Sequence, residues 1–306
     1  MSNTRYAAID IGSNTILMVI AEQDASGKLT ILADAQSIAR LGEKVDLTKE
    51  IQNEALDRAV KVLENYSIIC KDYDVKYISS VATSAIRDAI NGNAVIEKLS
   101  SIINSQIKII SGEDEASLSF RGTIEEPLTG TVIDIGGGST EIISGENGKI
   151  KYKKSLQIGA VRITERIFKD HPPTESSLKE ASDLIKQNLK LFDAKNMKGD
   201  IYAVAGTPTT IAAIVQNLKF YDISKIHLYR LSQDQLQRTF TDFMSKSVEE
   251  ISLNYNVHPK RADVITAGTL ILIESLNYFN KDSCVVSANG LRYGVLYKMI
   301  EENLYL

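Results

Sequence analysis

The chain has 306 residues, a hydrophobic fraction of 43%, a charged fraction of 24% and a formal net charge of -4. These proportions are ordinary for globular proteins and exclude a disordered, collagen-like or coiled-coil chain, while the length favours two domains because one core stops growing near about 250–300 residues. The slight negative charge excludes a broadly basic, nucleic-acid-binding surface, so a polyanionic ligand has to meet local positive groups.

The segment from Met1 to Ile11 lacks the long apolar core and small-residue cleavage site of an export signal. The apolar run from Val264 to Ile273 is interrupted by Thr266, Gly268 and Thr269 and falls short of the ~20 residues that span a bilayer. A cytoplasmic protein without membrane helices is expected. Cys70 and Cys284 stand far apart and outside any CxxC pattern, which predicts free, buried thiols. His171, His227 and His258 match no metal-ligand spacing, so oxygen must hold any metal.

Along the first half, period-two apolar runs alternate with helical patterns, the signature of a mixed sheet with crossover helices and of an α/β fold. Strands are expected near Tyr6 to Asp10, Thr15 to Glu22 and Leu29 to Ala39. A helix follows with Leu56, Ala59, Val60, Leu63 and Tyr66 at i, i+3, i+4 spacing. Val75 to Val81 reads as a strand, Ala94 to Ile103 as a helix, and Ile107 to Ile110 as a short strand before a helix opening at Glu113. The segment Ile124 to Thr131, with Pro127 and Gly130, breaks the pattern. It divides the chain into domains 1–125 and 126–306. Strands then recur at Val132 to Asp134, Thr140 to Ser144 and Lys149 to Leu156, followed by helices near Ala160 to Phe168 and Glu175 to Leu191, and a strand at Tyr202 to Ala205. The rest reads as mostly helical, with one buried strand at Ser283 to Val286 and a closing helix from about Leu291.

The order of elements after the break is a restart. DIGSNT (Asp10 to Thr15), a strand and the turn Ser26-Gly27-Lys28 are mirrored by DIGGGST (Asp134 to Thr140), a strand and the turn Asn147-Gly148-Lys149. Internal repetition of this kind implies duplicated lobes facing a cleft. Each hairpin sets an aspartate at a strand end before a turn of Gly12, Ser13, Asn14 and Thr15, or of Gly136, Gly137, Gly138, Ser139 and Thr140. Converging backbone N–H groups and hydroxyls in such turns bind anions, and phosphate is the expected guest. One such turn reads equally well as an ordinary tight hairpin; two at equivalent positions favour the phosphate reading. Like charges keep a carboxylate off phosphate, but it can hold hydrated magnesium that bridges to phosphate oxygens. Asp10, Asp134 and Glu141 are the metal candidates and Mg2+ the expected cofactor.

Three carboxylates, Glu113, Asp114 and Glu115, open the helix after Ser111-Gly112. Capping and dipole compensation, worth ~0.3–1 kcal/mol per charge, suffice for Glu113 and Asp114. Glu115 is the candidate general base, burial raising and the helix terminus lowering its pKa. Arg87, after a strand and at a helix start, can neutralise a transferring phosphoryl group, or form a surface pair with Asp88 or Asp114. Lys149, Lys151 and Lys153 alternate on one strand face, fitting a solvated edge strand better than a polyanion track. Gly206 and Thr207, in AGTPTT, form a further strand-to-helix turn that can touch ligand.

In chain order the motifs DIGSNT, ATSAIRDA, ISGEDEA, DIGGGSTE, QIGAVRITE with Gly159 and Arg162, AGTPTT, KRADVITAGTL and SANGLRYG resemble those of the exopolyphosphatase/guanosine pentaphosphate phosphohydrolase (Ppx/GppA) family, over nearly the whole chain. The resemblance implies two ribonuclease-H-like lobes of the actin and sugar-kinase superfamily, an active site in the cleft between them, and magnesium-dependent hydrolysis of inorganic polyphosphate or guanosine pentaphosphate. By the same resemblance Glu115 matches the catalytic base, Arg87 the phosphate-binding arginine, and Asp134 and Glu141 the acidic metal-site residues. It also implies that a C-terminal helix, about 291–306, returns to the first lobe. The chain departs from longer members in ending soon after SANGLRYG, without their helical HD-type domain, and in carrying Thr266 where many relatives have proline. Two other activities compete, an ATP-dependent kinase of the same superfamily and a sensor that binds guanosine tetra- or pentaphosphate without hydrolysis. The expected partners are the substrate and at most a second copy of the chain, with no nucleic acid and no membrane.

Overall fold

A computed structural model describes residues 3–124 and 129–304. The chain divides into two compact units, Met1–Gly122 with Leu291–Leu306, and Thr123–Gly290. Pro127, in the segment read as a break, lies outside the described residues.

The first unit contains β1 (Thr4–Ile11), β2 (Thr15–Gln23), β3 (Leu29–Ile38), α1 (Val45–Thr48), α2 (Asn53–Asp72), β4 (Tyr77–Ala82), α3 (Ser84–Asp88), α4 (Gly92–Ile103), β5 (Ile107–Ile109) and α5 (Gly112–Thr123). Its sheet runs β3-β2-β1-β4-β5, antiparallel through β1, β2 and β3 and parallel from β1 to β4 and β5. Successive side chains of a strand point to opposite faces. Ala7, Ile9 and Ile11 therefore join one core with Ala55, Ala59, Leu63, Tyr66 and Cys70 of α2, while Tyr6 and Ala8 join a second core on the other face. The spacing of those α2 residues is the i, i+4 stripe that drives an amphipathic helix onto a sheet.

The second unit repeats this plan with β6 (Gly130–Ile135), β7 (Thr140–Glu146), β8 (Lys149–Leu156), α6 (Ala160–Arg166), α7 (Glu175–Leu189), β9 (Asp200–Val204), α8 (Gly206–Val215), α9 (Ile223–Ile226), β10 (Arg230–Ser232), α10 (Gln233–Phe243), α11 (Val248–Tyr255), α12 (Pro259–Tyr278) and β11 (Ser283–Val286). The sheet order β10-β11-β9-β6-β7-β8, taken from β8, is the order of the first sheet plus one edge strand. That added strand, β10, was expected to be part of a helical region; three residues are too few to show a period-two pattern. Helices α10 and α11 start at Ser232/Gln235 and Ser247/Glu250 capping boxes. Helix α12 begins with Pro259 at its first position and is buried along nearly its whole length, which explains the apolar run from Val264. Among the described residues no helix is long and apolar enough to cross a membrane.

The last helix, α13 (Leu291–Leu304), belongs to the first unit and packs on β1, β2 and β4. Arg292 holds Asp34 of β3 with two bonds, Nε to Oδ1 at 3.1 Å and Nη2 to Oδ2 at 2.8 Å, and the Tyr293 hydroxyl donates to the same carboxylate at 2.8 Å. Burial pushes the Tyr293 phenol pKa up, so the hydroxyl remains a donor. A side chain on Gly294 would collide with the Leu118 carbonyl, so glycine is what lets α13 approach α5. The expected α/β architecture, two mixed sheets flanked by helices, is borne out.

Candidate functional site

In the first unit DIGSNT is the β1–β2 turn. Gly12 N–H donates to Thr15 O at 3.1 Å, and a Cβ on Gly12 would lie 3.0 Å from that oxygen. Two groups from the segment after β3 hold the back of the turn: Gly42 N–H donates to Ser13 O at 2.7 Å and Arg40 N–H to Asn14 O at 3.0 Å. Because a trans peptide points its carbonyl and its N–H in opposite directions, capture of these carbonyls turns the Asn14 and Thr15 N–H groups the other way. Gly42 approaches closely enough that a Cβ there would sit 2.9 Å from Ser13 Cβ.

The turn is linked to the acid–arginine pair by a short chain of contacts. Ser13 Oγ lies 2.9 Å from Ser84 Oγ, both buried, and Ser84 opens α3, whose Arg87 points its guanidinium at the start of α5. Arg87 Nη1 donates to the Ile110 carbonyl at 2.9 Å and to Glu115 Oε2 at 3.2 Å. Glu115 is 7% exposed, whereas Glu113 and Asp114 are exposed. Ser111 explains the difference: its hydroxyl accepts the Asp114 N–H at 3.1 Å and donates to the Asp114 carboxylate at 2.7 Å, a cap that commits Asp114 to the helix end. The next residue, Glu115, is carried around the helix to the buried side. Asp10 is 8% exposed at the end of β1, in register with Leu17 and Val81.

In the second unit the DIGGGST turn repeats the closure, with Gly136 N–H donating to Ser139 O at 3.0 Å. Its back is held by the first turn of a helix. Ala160 N–H donates to Gly136 O at 3.0 Å, and the Val161 and Arg162 N–H groups to Gly137 O at 2.9 and 3.1 Å, which aims the Gly137 and Gly138 N–H groups away from α6. Gly159 makes the approach feasible, since a Cβ there would lie 2.5 Å from Gly137 C and 2.6 Å from Gly138 C. Thr140 is fully buried and donates its hydroxyl to Ile158 O at 2.7 Å, so it ties β7 to the segment after β8. Asp134 and Glu141 oppose each other directly across β6 and β7, and Ser155 of β8 donates to Glu141 Oε1 at 2.7 Å.

Carboxylates directly opposite on neighbouring strands repel, and Glu141 is 1% exposed. A divalent cation held by these oxygen donors would relieve both costs. Among the described residues no three His, Cys, Asp or Glu side chains cluster tightly enough to hold a metal on their own.

The AGTPTT turn has a feature the motif did not reveal. Ala205, before α8, has φ 78° and ψ -168°, a region that costs a non-glycine residue about 1–3 kcal/mol and that concentrates at functional sites. A Cβ on Gly206 would lie 3.3 Å from the Arg261 guanidinium, which is 8% exposed and donates to Thr210 Oγ1 at 3.3 Å. Desolvation lowers the Arg261 pKa, as burial does for a cation. Thr207 is buried and packed against Gly268 of α12. Gly42, Ser84 and Arg261 were missed as site residues. The first had a signal, a hydrophobic-glycine pair after the third strand of each repeat, Leu41-Gly42 and Ile158-Gly159.

The model of the Ppx/GppA phosphatase family matches residues 19–303. The chain belongs to that family. It is 33% identical over 293 residues to exopolyphosphatase 2 of Mycobacterium tuberculosis, covering 90% of each protein. It is 37% identical to the bifunctional 3-dehydroquinate synthase/phosphatase of Fusobacterium nucleatum, over 98% of this chain but 47% of that protein. The chain thus spans about half the length of this last relative. A solved exopolyphosphatase of Cytophaga hutchinsonii is 25% identical with a TM-score of 0.89 and 98% coverage of both chains, and the Ppx/GppA protein of Aquifex aeolicus is 32% identical with a TM-score of 0.79 and 99% coverage of both.

Proposed function

We propose that this chain removes the terminal phosphoryl group from inorganic polyphosphate or guanosine pentaphosphate by hydrolysis. The observation that carries the reading is the pair of half-buried Arg87 and buried Glu115, joined through Ser84 to the Ser13 turn. A carboxylate beside a guanidinium can take a proton from water, and the same guanidinium can neutralise charge on the phosphoryl group being transferred. The names of the relatives, an exopolyphosphatase and a guanosine-5'-triphosphate,3'-diphosphate pyrophosphatase of Vibrio atlanticus at 30% identity, support the substrate class.

In this reading Glu115 accepts the proton of the attacking water, and Arg87, bonded to Glu115 Oε2, also meets the phosphoryl oxygens. The outward N–H groups of Asn14, Thr15, Gly137 and Gly138 bind phosphate oxygens that carry charge in the transition state. Asp134 and Glu141 are the residues that would hold Mg2+, with Asp10 a further candidate in the first unit. Bound there, the ion supplies charge neutralisation and Lewis acidity to the phosphates. The buried Cys70 and Cys284 thiols, pushed up by burial to about 11 and about 12, are protonated at neutral pH and take no part as nucleophiles.

The test is release of orthophosphate from short polyphosphate, long polyphosphate and guanosine pentaphosphate, without any acceptor and with Mg2+, beside phosphoryl transfer from ATP. Release without acceptor supports hydrolysis; transfer from ATP alone would assign a kinase, and binding without release a sensor.

A further inference from the structure

We propose that Arg58 of α2, which lies outside every motif of the sequence, is a positioning residue for the phosphate turn of the first unit. The inference rests on the phosphohydrolase reading and adds a residue that touches neither the turn nor Glu115.

The two turns share one design but are braced by different means. In the second unit the brace is helical backbone, the first N–H groups of α6, and needs no side chain. In the first unit it is the loop between β3 and α1, where Arg40 and Lys44 both hold positive φ, 53° and 61°. Lysine and arginine gain nothing from the left-handed region, which asparagine tolerates far better. The loop closes on itself through Glu43 N–H to Arg40 O at 3.1 Å and Val45 N–H to Gly42 O at 3.2 Å, and a group outside it adds to that hold.

Arg58 supplies the fixation. Its Nε donates to Ala39 O at 2.8 Å, and its Nη2 donates to Arg40 O at 3.4 Å and to Glu43 Oε2 at 2.6 Å. One planar guanidinium therefore gathers both ends of the segment whose Arg40 and Gly42 N–H groups hold Asn14 O and Ser13 O. The fork is rigid, so the three acceptors are set in one plane as no lysine could set them. Its base is equally fixed, because Arg58 stands beside Ala55 and Ala59, both packed in the core of the unit. The route from α2 to the substrate runs from the guanidinium to the loop carbonyls, from the loop N–H groups to the turn carbonyls, and so to the direction of the turn N–H groups. The Arg58 side chain is 28% exposed, so water can replace its bonds when it is removed; the fold survives and the aim of the turn is lost.

The experiment measures KM and kcat for inorganic polyphosphate with Arg58→Ala, Arg58→Lys and Glu43→Gln, each beside its thermal midpoint. Arg58→Ala raises KM about 10-fold with kcat and the midpoint little changed, as expected when an interaction shared by ground and transition states is loosened. Arg58→Lys restores part of the loss, and added guanidinium ion restores more. A structural role alone would lower the midpoint and the active fraction, reducing kcat at constant KM, and that pattern, or an unchanged KM, overturns the proposal. Should Arg58→Ala fail to fold, Glu43→Gln carries the same test with a smaller rise in KM. If the wild-type chain releases no phosphate from any substrate, the phosphohydrolase reading falls by itself. Calorimetry with inorganic polyphosphate then decides the role of Arg58, through a weaker Kd in the variant or an equal one.

Discussion

The two glycine-rich turns are close in backbone geometry and different in what stands around them. Both close with an i to i+3 hydrogen bond, both have their second carbonyl, of Ser13 or Gly137, captured by N–H groups that follow the third strand, and both depend on a glycine there, Gly42 or Gly159. Around the first lie Ser84, Arg87 and Glu115; beside the second lie Asp134 and Glu141 on facing strands. In the proposed reading, duplication has kept a phosphate grip in both units and divided the remaining chemistry, with proton transfer assigned to the first unit and the cation-binding acids to the second.

The sharpest way to break this comparison is at the base. Glu115→Gln is expected to lower kcat by about 10²–10⁴-fold with little change in KM, whereas Glu141→Gln is expected to act through the metal, raising the Mg2+ concentration needed for half activity about 10-fold. Steady-state rates over a Mg2+ titration distinguish the two, and a Glu115 variant rescued by extra Mg2+ would undo the division. Next in size is the brace. Gly159→Ala drives a methyl group into the peptide units of Gly137 and Gly138 and should cost about 3 kcal/mol in denaturant unfolding, with Gly42→Ala, opposed mainly by one Ser13 Cβ, costing about 1–2 kcal/mol. Equal losses would mean that the two braces are not built as differently as their contacts imply. Smallest is the hydroxyl at the end of each turn. Thr140→Val removes a buried bond to Ile158 and should cost about 1 kcal/mol of stability without changing KM, because that hydroxyl is engaged with the segment after β8. A raised KM would return Thr140 to the phosphate contacts.

Much of this was legible in the chain. The two sheets followed from period-two runs, and the repeat from two near-identical hairpins, because strand spacing and glycine turns are local properties. Ala205 shows where local reading ends: the strand was expected to include it, but its positive φ stops β9 at Val204, a conformation alanine does not announce. The partner of Arg87 was open between Asp88 and Asp114 on sequence distance, and the fold brings up Glu115 instead, from across the β5 crossover. Arg58 was invisible for a related reason. It acts on a loop 15 to 19 residues earlier in the chain, and nothing in an amphipathic helix distinguishes a cation that braces a loop from one that faces water.

The discontinuity of the first unit has a consequence for how the molecule is made. The carboxylate of Asp34 is displayed early in synthesis, yet the guanidinium that binds it is 258 residues further along the chain, and the face of β1, β2 and β4 that α13 covers stays open until those last turns leave the ribosome. The second unit, one unbroken stretch from Thr123 to Gly290, has all its strands before that moment. Domains generally fold in the order in which they emerge; here the half that begins first is the half completed last.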